Sequence, residues 1–173
     1  MVAYHDDEWG RPVRDDAELF ERLALESFQA GLSWSTILRK RPAFRVAFRG
    51  FDPRVVAAFD AADRARLMTD TAIVRNGAKI DATMDNAAAF VATATEFGTF
   101  GTYLASVVPP PPARLPRTAT AADVPAMTRT SDALSADLRR RGFRFVGSTI
   151  VYALMQSVGL VDDHLPGCFR YQG

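Results

Sequence analysis

The stretch Leu23-Ala-Leu-Glu-Ser-Phe-Gln-Ala-Gly-Leu-Ser-Trp34 places a carboxylate, a helix stop and a large aromatic in close succession. Upstream, Asp15 reads as an N-cap with Glu18 as its capping-box partner, opening a helix over roughly residues 16–30. Leu19, Leu23 and Ala30 mark the apolar stripe of that helix, and Glu26 falls on the same stripe. Glu18, Glu21 and Arg22 supply the expected exposed face. A carboxylate on the inward stripe is costly unless it is hydrogen-bonded, paired or facing a cavity. Ala30-Gly31 then ends the helix, and Ser33 caps a second one that begins at Trp34. Two readings stay open here. Either Glu26 is locked to a neighbouring arginine in a closed core, or it lines a small polar slot beside the flat face of Trp34.

The chain has 173 residues, 48% of them hydrophobic, which suits one folded domain over 1–173 rather than a disordered segment. No apolar run approaches the ~20 residues of a membrane span. The N-terminus, Met-Val-Ala-Tyr-His-Asp-Asp-Glu8, lacks the basic and apolar regions of a signal peptide. Cys168 is the single cysteine, so an internal disulfide framework is excluded and a cytoplasmic location is expected.

The net charge is only +1, but the charges are unevenly spread. Residues 39–54 carry Arg39, Lys40, Arg41, Arg45, Arg49 and Arg54 against Asp52 alone. The basic residues are arginines apart from Lys40 and Lys79. Arginine suits bidentate phosphate contact, and a G+C-rich genome would give the same bias. The pattern permits a basic face without establishing one.

Along the chain, a short helix over Ser33–Lys40 is expected to stop at Pro42, with a further turn around Phe44 and Phe48. Asp52-Pro53 opens another helix and Asp60 the next. Residues 70–80 form a turn into a long helix ending near Gly98, a possible phosphate seat at the helix N-terminus. Phe100–Val107 is helical, Pro109–Pro112 is a rigid connector, and Ser131 caps a helix ending at Gly142. Ser148–Val158 is an apolar, central helix. No alternating strand pairs are found, so the fold class is all-α.

His5, His164 and Cys168 are three ligands of zinc-binding type that could join the two ends of the chain, although such spacings also arise by chance. Tyr4 and Trp9 flank His5 and add aromatic surface, with core packing as the alternative role.

Several segments, taken in order, resemble the DNA-3-methyladenine glycosylase I family. They are Tyr4-His-Asp-Asp-Glu-Trp-Gly10, Leu25-Glu-Ser-Phe-Gln-Ala-Gly-Leu-Ser-Trp34, Phe51-Asp-Pro53, Ile73-Val-Arg-Asn-Gly-Ala-Lys-Ile80, Arg141-Gly-Phe-Arg-Phe-Val-Gly147 and Asp163-His-Leu-Pro-Gly-Cys168. The resemblance implies the helix-hairpin-helix glycosylase fold, with two small helical lobes around a base-binding pocket. It implies a monofunctional enzyme that hydrolytically releases 3-methyladenine from double-stranded DNA carrying alkylated bases, and a monomer is expected. Glu26 would be the catalytic carboxylate and hydrogen-bond the flipped base. Tyr4 and Trp34 would stack on the base, and Trp9 would lie close by. Gly31 and Leu32 would probe the gap left in the duplex. Arg75, Asn76, Gly77 and Lys79 would lie in the hairpin that holds the DNA backbone. His5, His164 and Cys168 would bind a structural zinc whose fourth ligand, a cysteine upstream of the Tyr-His motif, is absent from this chain. A start site upstream of Met1 is the favoured explanation for that absence.

Three departures from the family pattern stand out. Ala72 replaces a hairpin glycine and should strain a left-handed turn. Ala105 replaces a tryptophan, opening space or removing an aromatic wall. Asp162 replaces an asparagine. With the missing cysteine, Ala72 and Ala105 motivate a competing reading as a DNA-binding module without turnover. A metal hydrolase using His5, His164 and Asp162 is a third reading.

Overall fold

Asp15 caps helix α2 (Asp16–Gln29), its Oδ1 accepting the Glu18 N–H at 2.9 Å. Glu18 does not return the bond. Its carboxylate accepts from Arg22 Nη2 at 3.0 Å, so the capping box is only half formed. Every residue of α2 from Leu19 to Phe28 is buried, which makes it the central helix of the fold. The structure is a computed structural model and describes residues 1–110 and 112–171.

Of the expected exposed face of α2, the Glu18 side chain is exposed but Glu21 and Arg22 are not. Glu21 retains 5% of its accessible surface and Arg22 only 1%. Two neighbours cover that face: a short helix α1 (Val2–Asp7), which the pattern did not announce, and α3 (Trp34–Ala47). Their charges meet those of α2. Arg22 Nη2 donates to Glu8 Oε2 at 2.8 Å, and Arg41 reaches the same Glu8 oxygen at 2.6 Å. Arg41 and Arg45 both donate to Glu21 Oε1. Charges at helical spacing read as solvated when they are in fact paired across helices, and periodicity cannot separate the two cases.

Helix α3 does not stop at Pro42 but runs through it to Ala47. Proline forfeits one intrahelical bond. Phe44 and Ala47, buried in the core beyond it, keep the last turns in place. The chain continues through α4 (Pro53–Ala57), α5 (Ala61–Thr69), α6 (Gly77–Phe97), α7 (Phe100–Val107), α8 (Arg129–Arg140) and α9 (Ser148–Ser157). The cap of α8 is Thr128, three residues earlier than expected. Ser131 is its capping-box partner, returning a bond to the Thr128 N–H at 2.8 Å.

Helix α2 packs against α3, α6, α7 and α9, while α4 lies along α6 and α8 along α9. Phe20, Phe28, Phe44, Phe48, Phe51, Phe90 and Phe100 fill the centre. The fold is all-α. The only strands among the described residues are β1 (Ala113–Arg114) and β2 (Val161–Asp162), a two-residue parallel pair that ties the chain after the proline connector to the C-terminal loop. Pro111 of that connector lies outside the described residues. No described helix is long and apolar enough to cross a membrane.

The turn between α5 and α6 carries no left-handed alanine. Among the described residues, the non-glycine ones with positive φ are Arg49, Phe51 and Phe145, so Ala72 is not strained in that way. Asp70 Oδ1 accepts the Ala72 N–H at 2.8 Å, and Lys40 Nζ donates to the Ala72 carbonyl at 2.8 Å. Lys79 plays the matching part inside the protein. It is buried, with Nζ donating to the carbonyls of Phe28 at 2.8 Å and Ala30 at 2.6 Å, where the end of α2 leaves acceptors unpaired. Lys79→Met should leave these two carbonyls without their donor and lower the unfolding free energy by about 1–3 kcal/mol. Urea denaturation checks this, and an unchanged midpoint would show that the clamp contributes nothing.

Candidate functional site

Four elements bring their ends to one cavity of about 350 Å³. Helix α1 supplies Tyr4 and His5, and the turn after it supplies Trp9. Helix α2 supplies Glu26 and Gln29, which share a face at i, i+3. The first residue of α3 is Trp34, set at the rim because Ser33 caps the helix and accepts the Thr36 N–H. Helix α9 closes the far side with Ala153 and Gln156.

Of the two readings of Glu26, the slot is the one present. Glu26 is buried at 6% exposure, yet Arg22, one turn earlier, directs Nη2 to Glu8 and Glu18 rather than to it. Burial pushes the Glu26 carboxyl up to about 8, opposed by the positive charge of Arg22. Tyr4 packs obliquely on Trp34, with ring centroids 5.3 Å apart and planes at 57°. The Arg22 guanidinium lies 5.4 Å from the centre of the Tyr4 ring. Burial also raises the Tyr4 hydroxyl to about 12, so it stays a neutral donor. The Tyr4 hydroxyl and the Trp34 indole N–H are both buried with no hydrogen-bond partner in the protein. Buried donors of this kind are costly unless something else accepts from them. The cavity therefore combines two aromatic surfaces with a carboxyl whose charge state depends on what enters.

Gln29 and Gln156 were not singled out by the sequence pattern. Gln29 was within reach of it, three residues after Glu26 on one helix. Gln156 gave no signal, because its helix reads as uniformly apolar. Ala105 faces solvent on α7 and does not line this cavity, so it neither opens it nor removes a wall from it.

Beside the cavity, the ligand atoms of His5, His164 and Cys168 lie within 4.8 Å of one another. Trp9 joins the two sites, its ring centroid 4.7 Å from that of His164. His5 Nδ1 is 2.7 Å from Asp6 Oδ1, and His164 Nδ1 is 2.7 Å from Asp162 Oδ1. Each imidazole is thus backed by a carboxylate, an arrangement that orients a histidine for metal binding through Nε2. The buried Nε2 of His164 has no partner within the protein, and Cys168 Sγ lies 3.5 Å from His5 Nε2. This donor set fits a zinc-type ion. Asp162 stands behind His164 and does not belong to the ligand group, against the hydrolase reading that used it as a ligand.

The residues proposed for DNA contact divide. Gly31 is exposed at φ +81°, and a side chain there would meet nothing within 4 Å, so glycine is required by the turn and not by crowding. Leu32 is 37% exposed, held by a bond from its N–H to the Gln29 carbonyl and another from Gln29 Nε2 to its own carbonyl. Arg75 and Asn76 are exposed, and Asn76 caps α6 by accepting the Lys79 N–H. Gly77 and its neighbour offer first-turn N–H groups at the same helix end. The Lys79 side chain points inward to carbonyls, so it is not a phosphate hand. The basic run at 39–54 also thins out, since Arg41 and Arg45 are bound to Glu8 and Glu21.

Comparison with known proteins agrees with this geometry. The methyladenine glycosylase family pattern matches residues 1–171. The Escherichia coli DNA-3-methyladenine glycosylase 1 is 45% identical over 99% of this chain and 91% of its own. A crystal structure of a 3-methyladenine DNA glycosylase I superposes with a TM-score of 0.93 at 44% identity, covering 98% of this chain and 93% of that one. The Staphylococcus aureus enzyme, whose structure addresses 3-methyladenine recognition, gives 0.92 at 39% identity over 97% and 89%. With a base-sized cavity at the junction of α1, α2, α3 and α9 and these relatives over almost its whole length, the chain belongs to the methyladenine glycosylase family.

Proposed function

We propose that this protein is a monofunctional DNA glycosylase that flips 3-methyladenine out of alkylated duplex DNA and hydrolyses its N-glycosidic bond. The observation that carries the reading is the convergence of Tyr4, Trp9, Glu26 and Trp34 on one cavity. A base must leave the stack before chemistry can reach its glycosidic bond, and a damaged base is cheaper to unstack. Adenine methylated at N3 within DNA is cationic and already a good leaving group. Aromatic faces at Tyr4 and Trp34 suit such a cation. Its arrival favours the ionised form of Glu26, so Glu26 gives up a proton as the base binds. In the hydrolysis, the electron pair of the bond goes to the base and cancels its charge. Water adds to the sugar carbon and loses a proton.

Outside the cavity, the exposed Gly31-Leu32 turn would enter the gap left in the duplex. The α5–turn–α6 pair would act as the hairpin that holds the phosphate backbone through N–H groups near Gly77, with Arg75 adding charge. His5, His164 and Cys168 would hold a structural zinc. It would fasten α1, and with it Tyr4, to the C-terminal loop.

Glu26→Gln keeps the shape and removes the ionisable proton. Release of 3-methyladenine from methylated DNA should fall on the order of 10²-fold. The same variant should be more stable than the parent above neutral pH. A raised carboxyl favours the fold while protonated, fully below the ordinary carboxyl value near 4.5, and this is lost as pH rises toward 8. The melting-temperature gain of Glu26→Gln should therefore grow between about pH 5 and pH 8. Unchanged base release would remove Glu26 from the mechanism, and a gain flat with pH would mean that its burial is not what raises it.

For the metal, adding zinc to chelator-treated protein should raise the melting temperature, and Cys168→Ser should abolish most of that gain. Equal gains in both proteins would reject the ligand set. For DNA, affinity for undamaged duplex should fall linearly on a log–log plot against salt, and Arg75→Ala should make that slope shallower by about 1. A flat salt dependence would remove the phosphate-tracking surface.

A further inference from the structure

The far wall of the cavity holds an amide that has already committed one of its ends. Gln156 lines the cavity from α9, and its Nε2 donates to Asp163 Oδ2 at 2.8 Å. The Tyr152 hydroxyl, one turn earlier on the same helix, donates to the same oxygen at 2.7 Å. Asp163 is 7% exposed and Tyr152 3%, so the carboxylate end of this unit is shielded from water, while Gln156 itself is partly exposed to the cavity. A carboxylate oxygen accepts and does not donate, which fixes the orientation of the amide. The NH₂ end must face Asp163, because turning it would set Oε1 against a carboxylate. That leaves the acceptor Oε1, with one further N–H of Nε2, without a bond to Asp163.

From this geometry we infer that Gln156 is a specificity-determining residue, presenting a fixed hydrogen-bond acceptor that selects bases carrying an amino group. The inference rests on the base-binding reading of the cavity given above. Of the polar groups on the aromatic wall, the Trp34 N–H can only donate, and the Tyr4 hydroxyl, which can donate or accept, is covered in the same way. An adenine-type base also carries an exocyclic amino group, two N–H donors that need an acceptor once the base has left its pairing partner. Glu26 can meet part of that need. Its charge state varies with the ligand, while that of the Gln156 oxygen does not. A neutral acceptor held by Asp163 and Tyr152 therefore reads the amino group whichever way Glu26 is ionised. The roles are then separate. Glu26 responds to charge, Gln156 to the pattern of donors.

The test crosses a protein variant with a ligand variant. Gln156→Met keeps volume and helix propensity and removes the acceptor. 3-Methylpurine is 3-methyladenine with hydrogen in place of the amino group. Affinities of both free bases for both proteins are measured by tryptophan fluorescence or calorimetry. The parent protein should favour 3-methyladenine by about tenfold or more, and Gln156→Met should cut that preference by about three- to tenfold, the worth of one hydrogen bond. Tyr152→Phe, which loosens the clamp and leaves the acceptor in place, should cut it by less. A merely structural role would weaken both ligands equally and leave the ratio unchanged, and that result overturns the inference. So does a parent protein that binds neither base, which sinks the base-binding reading as well. A parent that binds 3-methyladenine selectively but releases none from methylated DNA leaves the selectivity standing and rejects the glycosylase activity alone.

Discussion

Glu8 is shared by two arginines, Arg22 of α2 and Arg41 of α3, and the cavity lined by Tyr4, Glu26 and Trp34 depends on that junction. The α1 segment carries Tyr4, His5 and Trp9 into the site but offers Tyr4 as its only buried residue. Its apolar grip on the rest of the fold is correspondingly small. Ion pairs supply the attachment that packing does not. Removing Glu8 would leave Arg22 with Glu18 and Arg41 with Glu21 but would cut the link between α1 and the other two helices. The same Arg22 then lends its charge to Glu26 and its guanidinium face to Tyr4. Anchoring and electrostatics of the site pass through one side chain.

The N-terminal wall has a second fastening at the His5, His164 and Cys168 cluster. Here the packing is close enough to constrain the backbone. A side chain at Gly10 would come within 2.7 Å of the His164 ring, and one at Gly159 would meet the backbone of Gly10 and Pro12 at 2.9 Å. Both glycines also sit at positive φ. The loop after α1 and the loop after α9 thus nest against each other, with the metal-type ligands at their junction. Asp162 and Asp163, adjacent in sequence, divide their work across this nest. Asp162 backs the His164 imidazole, and Asp163 faces the other way to hold Gln156.

Much of this was legible in the sequence, and the failures have a common cause. The helices beginning at Asp16 and Pro53 were visible because their caps are local: Asp15 and Asp52 each bond an N–H within three residues. Glu26 was visible because it breaks an apolar stripe. Glu21 and Arg22 were misread as solvated because their partners, Arg41 and Glu8, lie 20 and 14 residues away in the chain. Pro42 was misread as a stop because the core contacts of Phe44 and Ala47 outweigh one lost backbone bond. Lys79 resembled a phosphate ligand by motif, yet its acceptors, Phe28 and Ala30, are on another helix. In each case the deciding contact was long-range, and no local pattern records it.

The two lysines of the chain both end on backbone carbonyls, Lys40 at the α5–α6 turn and Lys79 at the end of α2. Every other basic side chain apart from the histidines is a guanidinium. Guanidinium keeps its charge across the whole range in which the protein folds, and reagents or enzymes that acylate amines do not react with it. Whatever positive surface meets DNA is therefore permanent. The charge of that surface is a constant of the molecule, whereas the buried Glu26 carboxyl, raised to about 8, is a group whose proton count can change near neutral pH.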